Sequence, residues 1–395
     1  MDDTTSRGSR LTERVQGIER SSIRVMFDMA EARRGEDLVR LEVGEPDFDT
    51  PSHVVEAANR AAMRGDTHYT SNAGLPELRR AIAEKMAREN DVHVDPDTQV
   101  TVTTGGMEAL HLAILTVANP GEEVLLPTPT WPNYVQQARL ADATPVEVPL
   151  SAADGFDLDP GRVVDAMTDD TAVVILTSPS NPTGRVYDRD AMHAVVDAAA
   201  EHDAYVISDE VYRSLTYEGD ERGLAADTDH PDRVLTVNSF SKQYAMTGWR
   251  VGWLAGPADV VDGVTKIRES TTACTSSVAQ HAAIAALTGP QDPIREMRDA
   301  FRKRRDYVAA RIEEMPVVSA PPSEGAFYAF LDVREFEGSS LDVATRLLEE
   351  YGVVTAPGDG FGEAGAGYLR LSFANSLERL ELGLDRIEAM VRAER

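Results

Sequence analysis

Apolar and polar residues follow two different patterns along the chain, one typical of buried strands and one typical of helices. Six short runs of β-branched and aliphatic residues, each closed by turn residues, have the pattern of buried strands. They lie at residues 100–104, 123–127, 171–177, 204–209, 234–240 and 250–256. Between several of them, as in residues 108–117 and 190–201, apolar residues recur at helical spacing. Alternating strands and helices predict a largely parallel sheet that helices cover on both faces.

The pattern changes after Gly289-Pro290. Helices are predicted over residues 23–35, 294–314, 341–351 and 377–392, and short strands over residues 326–331 and 368–373. Because 395 residues exceed the roughly 250 to 300 that one core usually serves, we expect two parts. The prediction is a large domain over residues 45–289 and a smaller α+β part built from residues 1–44 and 290–395.

Composition and charge exclude several classes of partner. The chain has 39 basic and 67 acidic residues, and its net charge of -28 repels nucleic acid and anionic membrane surfaces. No apolar run approaches the roughly 18 residues that cross a bilayer, and residues 1–21 have no apolar signal core, so we expect a cytoplasmic protein. One cysteine, Cys274, excludes an internal disulfide, and eight scattered histidines predict no metal site.

Lysine is rare, with four residues against thirty-five arginines. An acidic surface with so little lysine predicts a host with high internal salt, where the carboxylates stay hydrated and their repulsion is screened. One of the four lysines, Lys242, lies in the segment Ser-Phe-Ser-Lys at residues 239–242. Lysine can lose its proton when desolvated and attack a carbonyl, which a guanidinium cannot do. Lys242 is therefore the candidate Schiff-base residue.

Five predicted strands end at polar, aromatic or glycine residues. Ligands of open α/β sheets bind outside the carboxyl ends of the strands, so these residues are expected to share one site. They are Gly105-Gly106, Trp131, Asn181, Asp209 and Lys242.

A phosphate cradle is one interpretation of two of these strand ends. Backbone N–H groups at Gly105, Gly106 and Met107 begin a helix and attract anions, although a Gly-Gly pair is more often only a turn. The hydroxyls of Ser239 and Ser241 and the guanidinium of Arg250 could complete the cradle.

Three further candidates each have a simpler structural alternative. Asp209 ends a buried strand, so it is either a helix cap or a carboxylate that faces a cation such as a protonated pyridine nitrogen. Trp131 lies in a proline-stiffened loop and is either a packing residue or part of the site. Arg370 alternates with apolar residues, so it either faces solvent or points inward to hold a carboxylate.

Five motifs occur in one order along the chain. They are Asn-Pro-Thr-Gly at 181–184, Ser-Asp-Glu-Val-Tyr at 208–212, Ser-Phe-Ser-Lys at 239–242, Gly-Trp-Arg-Val-Gly at 248–252 and Arg-Leu-Ser-Phe at 370–373. Together with residues 42–48 and 68–79 they resemble the class I/II aminotransferases of the aspartate aminotransferase superfamily. The resemblance implies the α/β architecture of fold type I: a mostly parallel seven-stranded sheet between helices, and a smaller α+β domain. It also implies pyridoxal 5'-phosphate as cofactor and a homodimer with shared active sites.

The resemblance implies a role for each candidate residue. Lys242 would form the covalent bond to the cofactor and later move the substrate proton, while Asp209 would pair with the pyridine nitrogen. The remaining cofactor contacts would come from Asn181 and Tyr212 at the ring oxygen, Trp131 on the ring face, and Gly105, Gly106, Met107, Ser239, Ser241, Arg250 and the second subunit's Tyr69 at the phosphate. The substrate carboxylate would meet Arg370, Asn181, Gly44 and Trp131.

The implied function is amino transfer from an L-amino acid to a 2-oxo acid such as 2-oxoglutarate by a ping-pong mechanism. Aspartate is the first donor expected, aromatic amino acids the next, and alanine follows. A dicarboxylate donor needs a second cation, and Arg24 is either that group or a surface residue.

Other proteins of this fold keep the same motifs. Carbon-sulfur β-lyases and aminocyclopropane-carboxylate synthases begin with the same carbanion chemistry, so a β-lyase is the alternative function. A transcription regulator that binds pyridoxal phosphate needs an added N-terminal DNA-binding module. The acidic charge and the roughly 40 residues before Leu41 both disfavour such a module.

Overall fold

The computed structural model describes residues 11–394. Its helices are α1 (Glu13–Gln16), α2 (Ser22–Ala32), α3 (Ser52–Arg64), α4 (Pro76–Asn90), α5 (Gly106–Val117), α6 (Asn133–Leu140), α7 (Pro160–Asp165), α8 (Arg189–Glu201), α9 (Phe240–Gln243), α10 (Ala258–Thr271), α11 (Ser277–Thr288), α12 (Asp292–Glu313), α13 (Ser340–Tyr351) and α14 (Leu377–Ala393). Its strands are β1 (Val39–Arg40), β2 (Val100–Thr103), β3 (Glu123–Thr128), β4 (Thr144–Pro149), β5 (Thr171–Thr177), β6 (Tyr205–Asp209), β7 (Val234–Ser239), β8 (Gly252–Ala255), β9 (Tyr328–Asp332), β10 (Val353–Val354), β11 (Ala356–Pro357) and β12 (Tyr368–Ser372).

Seven strands form the central sheet in the order β2-β8-β7-β6-β5-β3-β4. Strand β8 runs antiparallel to both of its neighbours, and the other neighbouring pairs are parallel. The prediction of a mostly parallel seven-stranded sheet is confirmed. The hydrophobic pattern located six of the strands and missed β4, because this edge strand is half exposed and carries Pro145 and Pro149.

The central strands are buried on both faces. In β5, Val173 and Ile175 pack with α5, α6 and α10, while Val174 and Leu176 point to the other face and pack with α7 and α8. A strand that is buried on both sides has no polar face, which explains its continuous apolar run. Helices α3, α4 and α11 cover the end of the sheet near β2 and β8.

The C-terminal elements form smaller sheets. Strands β11, β12 and β9 make an antiparallel sheet, and β1 pairs in parallel with β10. Side chains of α2, α12, α13 and α14 share one apolar cluster with β1, β9, β10 and β12. The predicted helices are present within three residues at either end, whereas β9 begins at Tyr328 because Ala326 has a φ of 57° that interrupts the extended run.

Two features that mark other classes of protein are absent from residues 11–394. No helix in this range is long and apolar enough to cross a membrane. The same residues contain no group of three or more His, Cys, Asp or Glu side chains placed to hold a metal ion.

Candidate active site

A cavity of about 420 Å³ lies at the carboxyl ends of β5, β6 and β7. The residues that lead into it follow buried strands, which is why the polar side chains of separate segments meet at one edge of the sheet. Twelve of the predicted site residues line it: Gly44, Gly106, Met107, Trp131, Asn181, Asp209, Tyr212, Ser239, Ser241, Lys242, Arg250 and Arg370.

Two predicted site residues do not line the cavity. Gly105 has a φ of 79°, a conformation that favours glycine, and a Cβ on it would stand 2.5 Å from the Arg250 guanidinium and displace that group. Tyr69 lies on the surface with 91% of its area exposed. A position for Tyr69 in the site of its own protomer is therefore not observed.

Lys242 lies on the short helix α9, which begins directly after β7. Ser239 caps this helix by accepting a hydrogen bond of 2.9 Å from the Ser241 N–H. The ammonium group of Lys242 donates a hydrogen bond to the Gly44 carbonyl. Burial lowers the pKa of Lys242 to about 8, although the nearby negative charge of Glu45 acts in the opposite direction and raises it. A neutral amine is the nucleophilic form of lysine, so the environment of Lys242 favours covalent chemistry near neutral pH.

Asp209 is the last residue of β6 and is 2% exposed. One carboxylate oxygen, Oδ2, accepts a hydrogen bond of 2.6 Å from the Tyr134 hydroxyl, and Oδ1 accepts one of 3.2 Å from the Val211 N–H. Burial raises the pKa of Asp209 to about 6, against the effect of these two donors. Asp209 does not begin a helix, so the capping interpretation is wrong.

Arg370 lies on β12 with its side chain turned inward, and it is 4% exposed. Its Nη1 donates to Asn181 Oδ1 at 3.0 Å and its Nη2 donates to the Glu42 carbonyl at 2.6 Å. The guanidinium also lies 4.5 Å from the centroid of the Tyr328 ring, while its Nε has no partner within residues 11–394. Since both named acceptors are neutral, the buried positive charge can still hold an anion.

The start of α5 borders the same cavity. Gly106 and Met107 form its first turn, and Ser239, Ser241 and Arg250 line the same cavity beside it. Two hydroxyls and a guanidinium beside a helix N-terminus form the arrangement that attracts a phosphate group.

Trp131 fits both of its interpretations. Its ring lines the cavity, and it also packs against the core cluster and meets the Tyr134 ring edge-on at 5.4 Å. Arg24, the possible second cation, is exposed, pairs with Asp28 at 3.0 Å and does not line this cavity, although its neighbours Ile23 and Phe27 do.

Several residues that line the cavity were not predicted from the sequence, and Thr177, Tyr134 and Tyr328 are among them. Thr177 ends β5 and could have been found by the strand-end rule, and Tyr134 follows Trp131 by three residues. Tyr328 had no local signal, because the 2.7 Å contact between its hydroxyl and that of Tyr212 joins residues 116 positions apart.

The fold is that of a pyridoxal-phosphate enzyme of fold type I. Residues 36–387 match the family described as "Aminotransferase class I and II". An aspartate aminotransferase of Pyrococcus abyssi is 38% identical over 97% of this chain and 98% of its own, and aromatic-amino-acid aminotransferase 2 of Thermococcus litoralis is 37% identical over the same shares. The solved aspartate aminotransferase from Thermus thermophilus with maleate has a TM-score of 0.92 and 39% identity, covering 96% of this chain and 99% of that one.

The chain belongs to the class I and II aminotransferase family. It is a pyridoxal-phosphate-dependent aminotransferase, as the motifs predicted.

Proposed function

We propose that the enzyme transfers the amino group of aspartate to 2-oxoglutarate, with aromatic amino acids as the next donors. The observation that carries the proposal is the buried guanidinium of Arg370, which faces the cavity of Lys242 without a carboxylate partner in the described chain. Relatives that cover almost the whole chain are named as aspartate and aromatic aminotransferases, which supports this order of donors.

The residues present fit the cofactor. A buried carboxylate without an ion-pair partner in the described chain, a helix N-terminus with two hydroxyls, and a lysine of lowered pKa match a protonated pyridine ring, a phosphate and an aldehyde. When bound, pyridoxal phosphate joins the donor nitrogen covalently and draws electrons from the donor's α-carbon.

Each side chain has a proposed task. Lys242 would hold the cofactor through a covalent bond from Nζ, and the same amine, when free, would carry the α-proton of the donor. Asp209 would keep the pyridine nitrogen protonated, Asn181 and Tyr212 would bond the ring oxygen, and Trp131 would cover the ring; all four residues line the cavity. The phosphate is assigned to the backbone of Gly106 and Met107 and to the side chains of Ser239, Ser241 and Arg250, which line the cavity. Two residues from outside this lining are also assigned to it, namely Gly105 next to Arg250 and Tyr69 from a second subunit.

The amino-acid carboxylate is assigned to Arg370. Its planar fork can bind two carboxylate oxygens at once, and its present partner Asn181 lies close enough to share the same ligand. Gly44 and Trp131 complete the substrate contacts on the cavity wall.

A panel of single L-amino acids, added without an acceptor, tests this function. We expect aspartate to remove the visible absorption of the bound cofactor and to release one equivalent of oxo acid. Persistent absorption with ammonia and pyruvate formed from a cysteine-type donor would instead identify the β-lyase alternative. The same panel with aromatic donors and alanine ranks their preference.

We further propose a homodimer in which Tyr69 completes the partner's site. The high exposure of Tyr69 and of Met63, both outside the cavity of their own protomer, supports this arrangement. If so, mixing inactive Lys242→Ala protomers with weak Tyr69→Ala protomers should restore about one quarter of wild-type activity, because each mixed dimer regains one intact site.

A matched mixture serves as the control for this dimer experiment. Lys242 and Arg370 line the same protomer's cavity, so Lys242→Ala mixed with Arg370→Ala should regain nothing. Equal recovery in both mixtures, or none in either, would contradict the shared site.

Source, location and domain division are also proposals. The net charge of -28 and the four lysines support a halophilic host and a cytoplasmic enzyme. If the host is halophilic, the donor panel should show greater activity in high salt than in low salt. The apolar cluster that joins most of the C-terminal elements to α2 supports a large domain at residues 45–289 and a smaller part from residues 1–44 and 290–395. Hydrogen exchange that protects the two parts independently would agree with this division.

A further inference from the structure

A buried chain of hydroxyl groups ends at Asp209. Tyr134, in the first turn of α6, is almost completely buried. Its hydroxyl lies 2.6 Å from Asp209 Oδ2 and 2.6 Å from Thr177 Oγ1. Three separate elements, β5, α6 and β6, therefore meet at one phenol oxygen.

The chemistry of the three groups determines which atom donates. An ionised carboxylate can only accept, so the Tyr134 O–H donates to Asp209, and the phenol oxygen accepts the Thr177 O–H. Burial raises the pKa of Tyr134 well above its usual range, so this phenol remains a donor at working pH. Thr177 thus keeps the Tyr134 hydrogen turned toward Asp209.

Asp209 needs such a donor because burial opposes its charge. The other ionisable groups that act on it are Glu210, which opposes ionisation, and Lys242, which favours it. Tyr212, also buried, lines the same cavity and its phenol is paired with Tyr328 instead. Tyr134 and the Val211 N–H are the two hydrogen-bond donors to the Asp209 carboxylate in the described chain.

We propose that Tyr134 is a positioning residue whose hydroxyl, oriented by Thr177, keeps the Asp209 carboxylate ionised and aimed into the cavity before the cofactor binds. This inference rests on the proposed pairing of Asp209 with the pyridine nitrogen. Without the Tyr134 hydroxyl, more of Asp209 would be neutral near pH 6 to 7, and a neutral acid holds a protonated ring weakly.

The test compares Tyr134→Phe with the wild type in two measurements. The first is the pKa of Asp209 in cofactor-free protein, followed by carbon NMR of labelled aspartate and assigned with Asp209→Asn. The second is the Kd of pyridoxal phosphate as a function of pH. We expect the pKa to rise above its wild-type value of about 6 and the cofactor to bind about tenfold more weakly at pH 6, with recovery at higher pH.

Tyr187→Phe is the matched control, since Tyr187 is another buried tyrosine, its hydroxyl bonds Ser180, and it does not line the cavity. It should change neither measurement. Unchanged Asp209 titration in Tyr134→Phe, or a loss of affinity that is the same at every pH, would overturn the inference. If Tyr134→Phe does not fold, Thr177→Val decides, with a smaller shift in the same direction expected and no shift contradicting it.

Asp209→Asn separates this inference from the proposed function. Unchanged cofactor binding in Asp209→Asn would refute the pairing of Asp209 with the ring. Weakened binding in Asp209→Asn together with normal titration in Tyr134→Phe would refute the role of Tyr134 alone.

Discussion

Replacement of Lys242 with alanine is expected to lower the rate of amino transfer by at least about 10³-fold, because one change removes both the nucleophile and the proton carrier. The amine is set for this role by burial, which lowers the pKa of Lys242 to about 8 and favours the neutral form. Steady-state turnover with aspartate and 2-oxoglutarate measures the loss. The visible absorption of the bound cofactor should change as well, since the covalent bond is absent.

Two controls make the Lys242 result specific. Lys242→Arg retains a cation of similar length that does not lose its proton, so it should be nearly as inactive as alanine. Lys266→Ala removes an exposed lysine of α10 that pairs with Asp262, and its activity should equal that of the wild type. Ordinary transamination by Lys242→Ala would refute the assignment.

Replacement of Arg370 with alanine should raise the KM for the amino donor by about 10²-fold, because a charge-assisted pair of hydrogen bonds to the carboxylate is lost from a buried site. The value of kcat should fall less, since Lys242 and Asp209 remain in place. Separate determination of KM and kcat for aspartate checks this split.

Arg370→Lys retains the charge without the planar fork, so its KM is expected to lie between those of alanine and the wild type. Arg334→Lys alters an exposed arginine that pairs with Asp332 at the end of β9 and should leave KM unchanged. Because Arg370 also bonds Asn181 and the Glu42 carbonyl, the melting temperature of each variant shows whether the fold is intact. An unchanged donor dependence in a folded Arg370→Ala would place the carboxylate elsewhere.

The sequence alone determined the fold and most of the candidate site. Buried strands such as β5 must be apolar on both faces, so they occur in the sequence as continuous runs of apolar residues. The polar residues that end such strands meet at one edge, so the positions of Asn181, Asp209 and Lys242 followed from local pattern and motif. The edge strand β4 was not predicted, because a half-exposed strand with prolines has no continuous apolar run.

Only the tertiary structure decided which side chains touch. The contact between Arg370 and Asn181 joins residues 189 positions apart and turns a strand arginine inward, which the alternation of polar and apolar residues left open. The bond from Tyr134 to Asp209 spans 75 positions and depends on how α6 packs on the sheet. Hydrophobic pattern and propensity are local, whereas these contacts result from the packing of distant elements around a common core. For the same reason the sequence left open whether Arg24 is a second cation or a surface residue, and the structure shows it exposed and outside the cavity.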